Sequence, residues 1–488
     1  MKGDFSKWDF DSKKNFSGVL HQQGRVLLDT DWNTHTRITN NWQDQAGRDA
    51  IGPGVAAIPA SEPNGFKVVK AEVVGSPEGD KVKIGVMPGR VWADGLLAYL
   101  DGEEAEVTRT ATYLQPPASP IASGIRDAVI LEVWLEAING FQMPDDLIEP
   151  ALGGPDTTER LHTATAFRLL RLEEGDTCEN IREKLKDDLS ERGKLKVTLR
   201  PVTEIDGECP VVEGGGYTGF EHCLYRIEIA RVKSSLPMFK WSRFNGGLVG
   251  RGKFDPAAKK VTITANMQAV ITSGLNEFYL EAVEHNDDLG HWEVTYGAEA
   301  TLNSDNEIEL SDTETFGAIP SSGKAVFFRL WNGIEAVADF PEVTAPTEPN
   351  ELRDGIRLEF APFALAEFLP GDYWTFKVRA GDKNPDVLID EKPPEGIRYR
   401  RVPLAILNWD GNEIGEDGID DCRDIFRPLT SQTVCCSFIV GDGKSTHGDF
   451  DSIEEALSHL PDSGGEICLL PGVHDANAVI EGKHDIKV

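Results

Sequence analysis

Val91-Trp92-Ala93-Asp94-Gly95-Leu96-Leu97-Ala98-Tyr99-Leu100 reads as two short strands about a two-residue turn. Asp-Gly suits such a turn because both central residues must take positive φ. The same pattern extends outward. Phe66–Val74 and Lys81–Val86 alternate in hydrophobicity about Ser76-Pro77-Glu78-Gly79-Asp80, and Val129–Leu135 is an apolar, β-branched run of strand length. Further short strands are expected at Leu224–Val232, Lys260–Thr264, Ala325–Leu330, Tyr373–Val378 and Val402–Asn408. Only two or three helices are expected before residue 430. One runs from about Asp31 to Ile51, with N-cap residues in Asp29-Thr30-Asp31 and a stop at Gly52-Pro53-Gly54. Another covers Cys178–Arg192, where Ile181, Leu185 and Leu189 share a stripe. The expected fold is therefore mainly β, built of sandwich- or barrel-like modules.

Four parts are expected: an N-terminal arm and helix (1–52), a β-rich module with one inserted helix (53–205), further β-rich modules (220–430), and a different segment (432–488). Residues 142–160 read as a long ordered loop, and 206–219 and 345–350 as connections. In the last part, Val434–Val440 is apolar. Asp449–Leu460 is an amphipathic helix with Phe450, Ile453, Leu457 and Leu460 on one face and Asp451 and Glu454 in capping-box positions. Short strands are expected at Glu466–Leu470, Ala476–Ile480 and Asp485–Val488.

The chain has 488 residues, of which 40% are hydrophobic and 27% charged, a globular composition. Against 49 Lys and Arg stand 82 Asp and Glu, a formal charge of −33. Phosphate backbones and anionic lipid would repel such a chain, so no nucleic-acid partner is expected. No run approaches the ~20 apolar residues of a membrane helix. The first residues contain no apolar signal region, so synthesis in the cytoplasm without a signal peptide is expected. The seven cysteines (178, 209, 223, 422, 435, 436 and 468) form no Cys-x-x-Cys pair. They fit a reducing compartment, with Cys435 and Cys436 read as buried thiols.

Charge is distributed unevenly. Residues 1–50 hold seven basic side chains and seven Asp, so the segment is neutral and the negative excess lies downstream. Spaced aromatics (Phe5, Trp8, Phe10, Phe16) make its start an extended arm. The segment is read as an attachment element, with Phe5, Trp8, Arg25, Asp29, Asp31, Trp32 and Asn33 as candidate interaction residues. The alternative is a differently composed domain edge.

No catalytic, cofactor-binding or metal-binding residue is assigned, and no cofactor is expected. Gly441-Asp442-Gly443-Lys444-Ser445-Thr446 resembles the end of a phosphate-binding loop, but Phe438 stands where the first Gly is required. Asp410–Asp421 approaches a calcium loop, yet Ile414 replaces an oxygen ligand and Asp421 the longer Glu. His285, Asp287, Asp288 and His291 read as a polar turn between strands, and Gly246–Gly252 as a glycine-rich turn. Asp29 and Asp31 suit a helix start better than an acid–base pair. Gly-x-Ser-x-Gly is absent.

Two resemblances follow from longer stretches. Phe450-Asp451-Ser452-Ile453-Glu454-Glu455-Ala456-Leu457, Gly464-Gly465-Glu466-Ile467 and Leu470-Pro471-Gly472-Val473 together resemble the start of a right-handed parallel β-helix of the pectate-lyase-like type. In that family a short helix caps the open end of the solenoid and a coil of three strands follows. The resemblance covers only residues 432–488, about one coil, whereas a solenoid needs about three repeats. Either more chain follows or a neighbour completes the coil.

The second resemblance covers most of residues 1–430. Its motifs are Gly3-Asp4-Phe5-Ser6, Gln22–Asn33, Pro88–Gly95, Ala151–Thr157, Leu224-Tyr225-Arg226-Ile227-Glu228-Ile229 and Lys240–Gly246. In this order they resemble a bacterial family of unassigned biochemical function, often followed by a β-helix, with affinities to phage-tail-like particles and contractile injection systems. The family offers no catalytic residues to carry over.

These resemblances imply a non-enzymatic structural component of a phage-tail-like contractile injection particle, at a baseplate, spike or fibre-like periphery. Its expected partners are other particle subunits and further copies of itself, a trimer being favoured, and it would be extracellular after particle release. The alternatives are a polysaccharide-cleaving β-helix enzyme whose active face lies beyond residue 488, or an adhesin binding a cell-surface glycan.

Overall fold

The structure, a computed structural model, describes all residues except 9, 76–80, 103–105, 154–155, 206–210, 214, 322, 345–346, 362–367, 382–383 and 427–435. The expected turn at 76–80, the thiols at 209 and 435, and parts of the expected loops and connections at 154–155, 206–210, 214 and 345–346 lie outside the described residues, as does the start of the 434–440 run. The chain divides into two compact units, Met1–Ile425 and Phe426–Val488. Both are rich in strands, so the protein is mainly β, with barrel-like sheets.

In the first unit the quoted hairpin forms as read. Gly89–Ala93 pairs antiparallel with Leu96–Leu100, and Asp94 and Gly95 take φ of 47° and 84°. This hairpin belongs to a small sheet that shares one core with an eight-stranded sheet. Val91 and Ala98 from the first meet Val82, Ile84, Val129, Leu131 and Leu404 from the second. The long strands Arg126–Ile138 and Arg160–Arg171 pair along their whole length. In Arg126–Ile138 residues 127–134 are all buried, so its apolar run is explained by burial on both faces.

Six antiparallel strands between Val249 and Trp331 close into a barrel filled by Ile263, Leu280, Tyr296, Phe328 and their neighbours. The expected glycine-rich turn is partly strand, because Gly250 and Gly252 lie within Val249–Asp255. A Cβ on Gly250 would sit 2.7 Å from the Phe328 ring, so glycine here permits close packing inside the barrel.

Two four-stranded sheets make a sandwich. One contains Cys223–Ile229, Met238–Ser242 and Tyr373–Val378; the other contains Leu195–Leu199 and Ile356–Phe360. Tyr225, Ile227, Trp374 and Phe376 of one sheet pack on Val197, Leu358 and Phe360 of the other. Period-2 alternation explains Tyr373–Val378, where Trp374, Phe376 and Val378 are buried and the residues between them are not.

Several local expectations need correction. The N-terminal helix runs Asp29–Ile51, and its N-cap is Leu28, which offers no side-chain bond; both aspartates sit inside the first turn instead. Cys178–Arg192 is not one helix. It holds a single helical turn, Ile181–Lys184, and a 3-10 turn, Leu189–Glu191. Ile181 and Leu185 reach the core, but Leu189 does not belong to the same cluster. The helix Met267–Thr272 was not foreseen. Cys178 is bonded to Cys422 and Cys436 to Cys468, so four of the cysteines expected as thiols are disulfides. Among the described residues no helix is long and apolar enough to cross a membrane.

In the second unit, Phe438–Val440, Gly465–Leu469 and Ile486–Lys487 form a parallel three-stranded sheet. The helix Ile453–His459 contributes Ala456 and Leu457 to a small core with Val440, Leu460 and Ile467. Its cap is Ser452, whose hydroxyl accepts from Glu455 N–H, one position later than Asp451 in the expected box. Glu454 instead accepts from Asn477 N–H at 2.7 Å. The expected strand Ala476–Ile480 is not a strand.

Candidate functional site

The strand Cys223–Ile229 decides the site. Its residues alternate between two buried faces: Tyr225, Ile227 and Ile229 enter the sandwich core, while Arg226 and Glu228, each 2% exposed, face the other way. Lys240 sits opposite Glu228 on the adjacent strand, and Tyr373 opposite it on the other side. The barrel adds Glu281 and Trp331. Buried ions survive only when each is paired, and these are. Arg226 Nε donates to Glu228 at 2.7 Å, and Lys240 Nζ lies 3.1 Å from Glu228 and also contacts Glu281. Trp331 Nε1 donates to Glu281 at 2.8 Å. The Arg226 guanidinium stacks 3.6 Å from the Tyr373 ring centroid.

The N-terminal arm enters this cluster. Lys2 Nζ lies 2.7 Å from Glu228, the Met1 carbonyl accepts from Arg226 and Asn245, and Gly3 exchanges backbone and side-chain bonds with Asn245. Gly3 is buried with φ of 158°, and a Cβ there would fall 2.6 Å from Glu159 Oε2. Burial pushes the Lys2 ammonium down to about 8 despite the attraction of Glu228. Glu228 resists the desolvation of its burial, because Lys2, Lys240 and Arg226 hold its carboxyl well below the usual range.

The arm is then tied to its own helix. Asp29 accepts from Ser6 N–H at 2.9 Å and from the Ser6 hydroxyl at 2.6 Å. These bonds outweigh its desolvation and lower its pKa. Phe5 stacks on Trp8, with ring centroids 5.0 Å apart, and Arg37 lies over Trp8. The helix is seated by the hairpin turn: Arg400 bridges Asp44 and Asp94, Arg48 also contacts Asp94, and Gly47 abuts Gly95.

Of the seven candidate interaction residues, Phe5, Trp8 and Asp29 thus hold the arm. Asp31 and Asn33 are half-buried on the helix, while Arg25 and Trp32 are exposed. Between the anchors, residues 11–29 are exposed almost without break, including Phe16, Leu20, Val26, Leu27 and Leu28. The sequence reading missed Lys2, Arg226, Glu228, Lys240 and Glu281. Charges two apart in a strand ordinarily mark a solvent face, and only the arm and barrel make this face an interior.

Glu159 flanks the cluster, and its Oε2 is buried without a hydrogen-bond partner among the described residues. Desolvation raises its pKa from 4.5 to about 7, with Arg329 opposing the shift. The folded state therefore holds this proton more tightly than the unfolded chain. Stability from this group is full below about 4.5 and is lost as pH rises through about 7. Glu159→Gln is expected to match the parent at pH 5 and to exceed it by on the order of 1–2 kcal/mol at pH 8. Denaturation at the two pH values checks this; equal differences at both would contradict it.

The other sequence candidates do not converge. Asp442 accepts from the backbone N–H groups of Lys444, Ser445 and Thr446, which makes 441–446 a self-capped turn. Ile414 is buried, and Asp421 is held by Arg423 at 2.9 and 2.8 Å. His285 contacts Asp287, whereas His291 is buried against Trp134; both histidines lie on paired strands and not in a loop. No curated protein and no solved structure matches the chain. Residues 1–191, which contain the arm, its helix and the long paired strands, match a family of unknown function, DUF6519.

Proposed function

We propose that this protein is a non-enzymatic structural component of a phage-tail-like contractile injection particle, with residues 1–52 as its attachment element. The observation that carries the reading is the loop between the two anchors. Leu20 is 94% exposed, Val26 83% and Phe16 63%, and the segment 12–28 carries Lys13, Lys14 and Arg25 with no acidic residue. Large apolar side chains on a loop held at both ends suit insertion into a partner subunit. Because Lys2 and Gly3 are built into the body, removing the whole arm would damage the fold. The informative variant replaces residues 12–28 by a short Gly-Ser linker. It is expected to stay folded and to lose incorporation into particles; unchanged incorporation would refute the reading.

The second unit is proposed as the start of a right-handed β-helix closed by its helix. Its parallel strand pairing and the helix packed on Val440 and Ile467 support this. Leu469, Val473, Val479 and Ile480 remain exposed, which favours stacking of this unit on other copies in a trimer. Mass photometry of the chain is expected to give three times the monomer mass. A stable monomer whose residues 466–488 resist protease would reject that arrangement.

A further inference from the structure

The first unit contains a cleft whose charge is opposite to that of the chain. The cleft encloses about 1950 Å³, and among the described residues thirteen basic and seven acidic side chains line it. The whole chain has 49 basic and 82 acidic residues. Some of the basic groups serve the buried cluster, and Arg400 serves the helix. Arg379, Lys392 and Arg398 have no carboxylate partner among the described residues, and the last two are exposed. All three line the cleft along one strand, Arg379 at its far end and Lys392 and Arg398 near its start. Arg379 follows the strand Tyr373–Val378, Trp374 of that strand donates to the Lys392 carbonyl at 2.8 Å, and Gly396, two residues before Arg398, bridges to Tyr373.

The rest of the lining includes an apolar part. Trp42 is 70% exposed and Leu161 37%, and Trp92, Leu96 and Leu97 are half-buried. A basic surplus within a strongly acidic protein attracts an anion locally. A small anion would leave most of the volume empty, since it is about twice the ~1,000 Å³ upper end of small-molecule sites. A polyphosphate backbone carries no apolar groups to set against Trp42 and Leu161. A saccharide offers no side chains to cover leucines. An acidic polypeptide with large apolar anchors satisfies both parts of the lining.

We infer that this cleft docks an acidic polypeptide segment of a partner protein, with carboxylates on Arg379, Lys392 and Arg398 and apolar anchors against Trp42 and Leu161. The inference rests on the cleft and not on the loop 12–28, so it stands or falls apart from the particle reading.

The test is fluorescence anisotropy of the full chain with a labelled random copolymer of Glu and Tyr. Polyglutamate and polygalacturonate serve as comparisons. The copolymer is expected to bind and to weaken with added salt. Arg379→Glu combined with Arg398→Glu is expected to reduce affinity about tenfold. Arg398→Glu alone, on an exposed side chain that leaves the fold intact, is expected to reduce it about threefold. Trp42→Ala is expected to weaken the copolymer more than polyglutamate. Absence of copolymer binding at low ionic strength, equal binding by a folded Arg398→Glu variant, or tighter binding of polygalacturonate would each overturn the inference, the last in favour of an anionic glycan.

Discussion

Glu228→Gln is expected to destabilise the first unit by about 3–5 kcal/mol, the range for breaking a buried ion pair from one side. The carboxylate lies within 2.7 Å of Lys2 and of Arg226 and 3.1 Å from Lys240, and it is 2% exposed. Without it, three cations would share Glu281, two of them, Arg226 and Lys240, only 2% exposed. The loss is expected to be smaller at pH 9 than at pH 6. Lys2 already has a folded pKa of about 8 against 10.5 unfolded, so between those values the folded state sheds the proton and gains stability as pH rises. Adding Lys2→Met to Glu228→Gln is expected to restore part of the loss by removing one unpaired charge. Denaturant unfolding of the single and double variants checks both points. A single-variant cost below about 1 kcal/mol would show that the cluster is hydrated.

Cys178→Ala with Cys422→Ala is expected to cost about 2–5 kcal/mol. The bridge joins residues 244 apart in sequence, so it shortens a very long loop in the unfolded chain. It also fixes the segment of Ile181 and Leu185 against the eight-stranded sheet, where both pack with Cys422. Unfolding of the first unit with and without reductant should reproduce the difference between parent and variant, the other bridge, Cys436–Cys468, lying in the second unit. Alkylation of Cys178 in folded, unreduced protein would show that the bridge does not form.

These two sites differ in how far the sequence disclosed them. The cysteines were visible, but seven residues without a close-spaced motif give no pairing, and Cys178 and Cys422 meet only after the strands between them have formed. Arg226 and Glu228 were visible within one of the motifs of the family resemblance, yet no local signal marks a charge that will be buried by distant residues. The arm lies between these cases. Its neutral charge and aromatics marked it as unusual, and the structure divides it into a buried anchor and an exposed loop.

The hairpin at Asp94-Gly95, the strand Tyr373–Val378 and the helix that ends at Gly52 are written in the amino-acid order. Each depends on interactions within a few residues: positive φ at two positions, period-2 burial, or a turn that stops a helix. The apolar runs Val129–Leu135 and Val402–Asn408 also announced buried strands. Tertiary structure alone decided that Lys2 meets Glu228, that Gly47 and Gly95 bring helix and hairpin into contact, and that residues 178–192 form turns. In that segment Ile181 and Leu185 reach one small core, and Leu189 does not belong to it. Partners separated by hundreds of residues carry no sequence periodicity. Their pairing is a property of the packed sheets, and so is the basic cleft in a protein of charge −33.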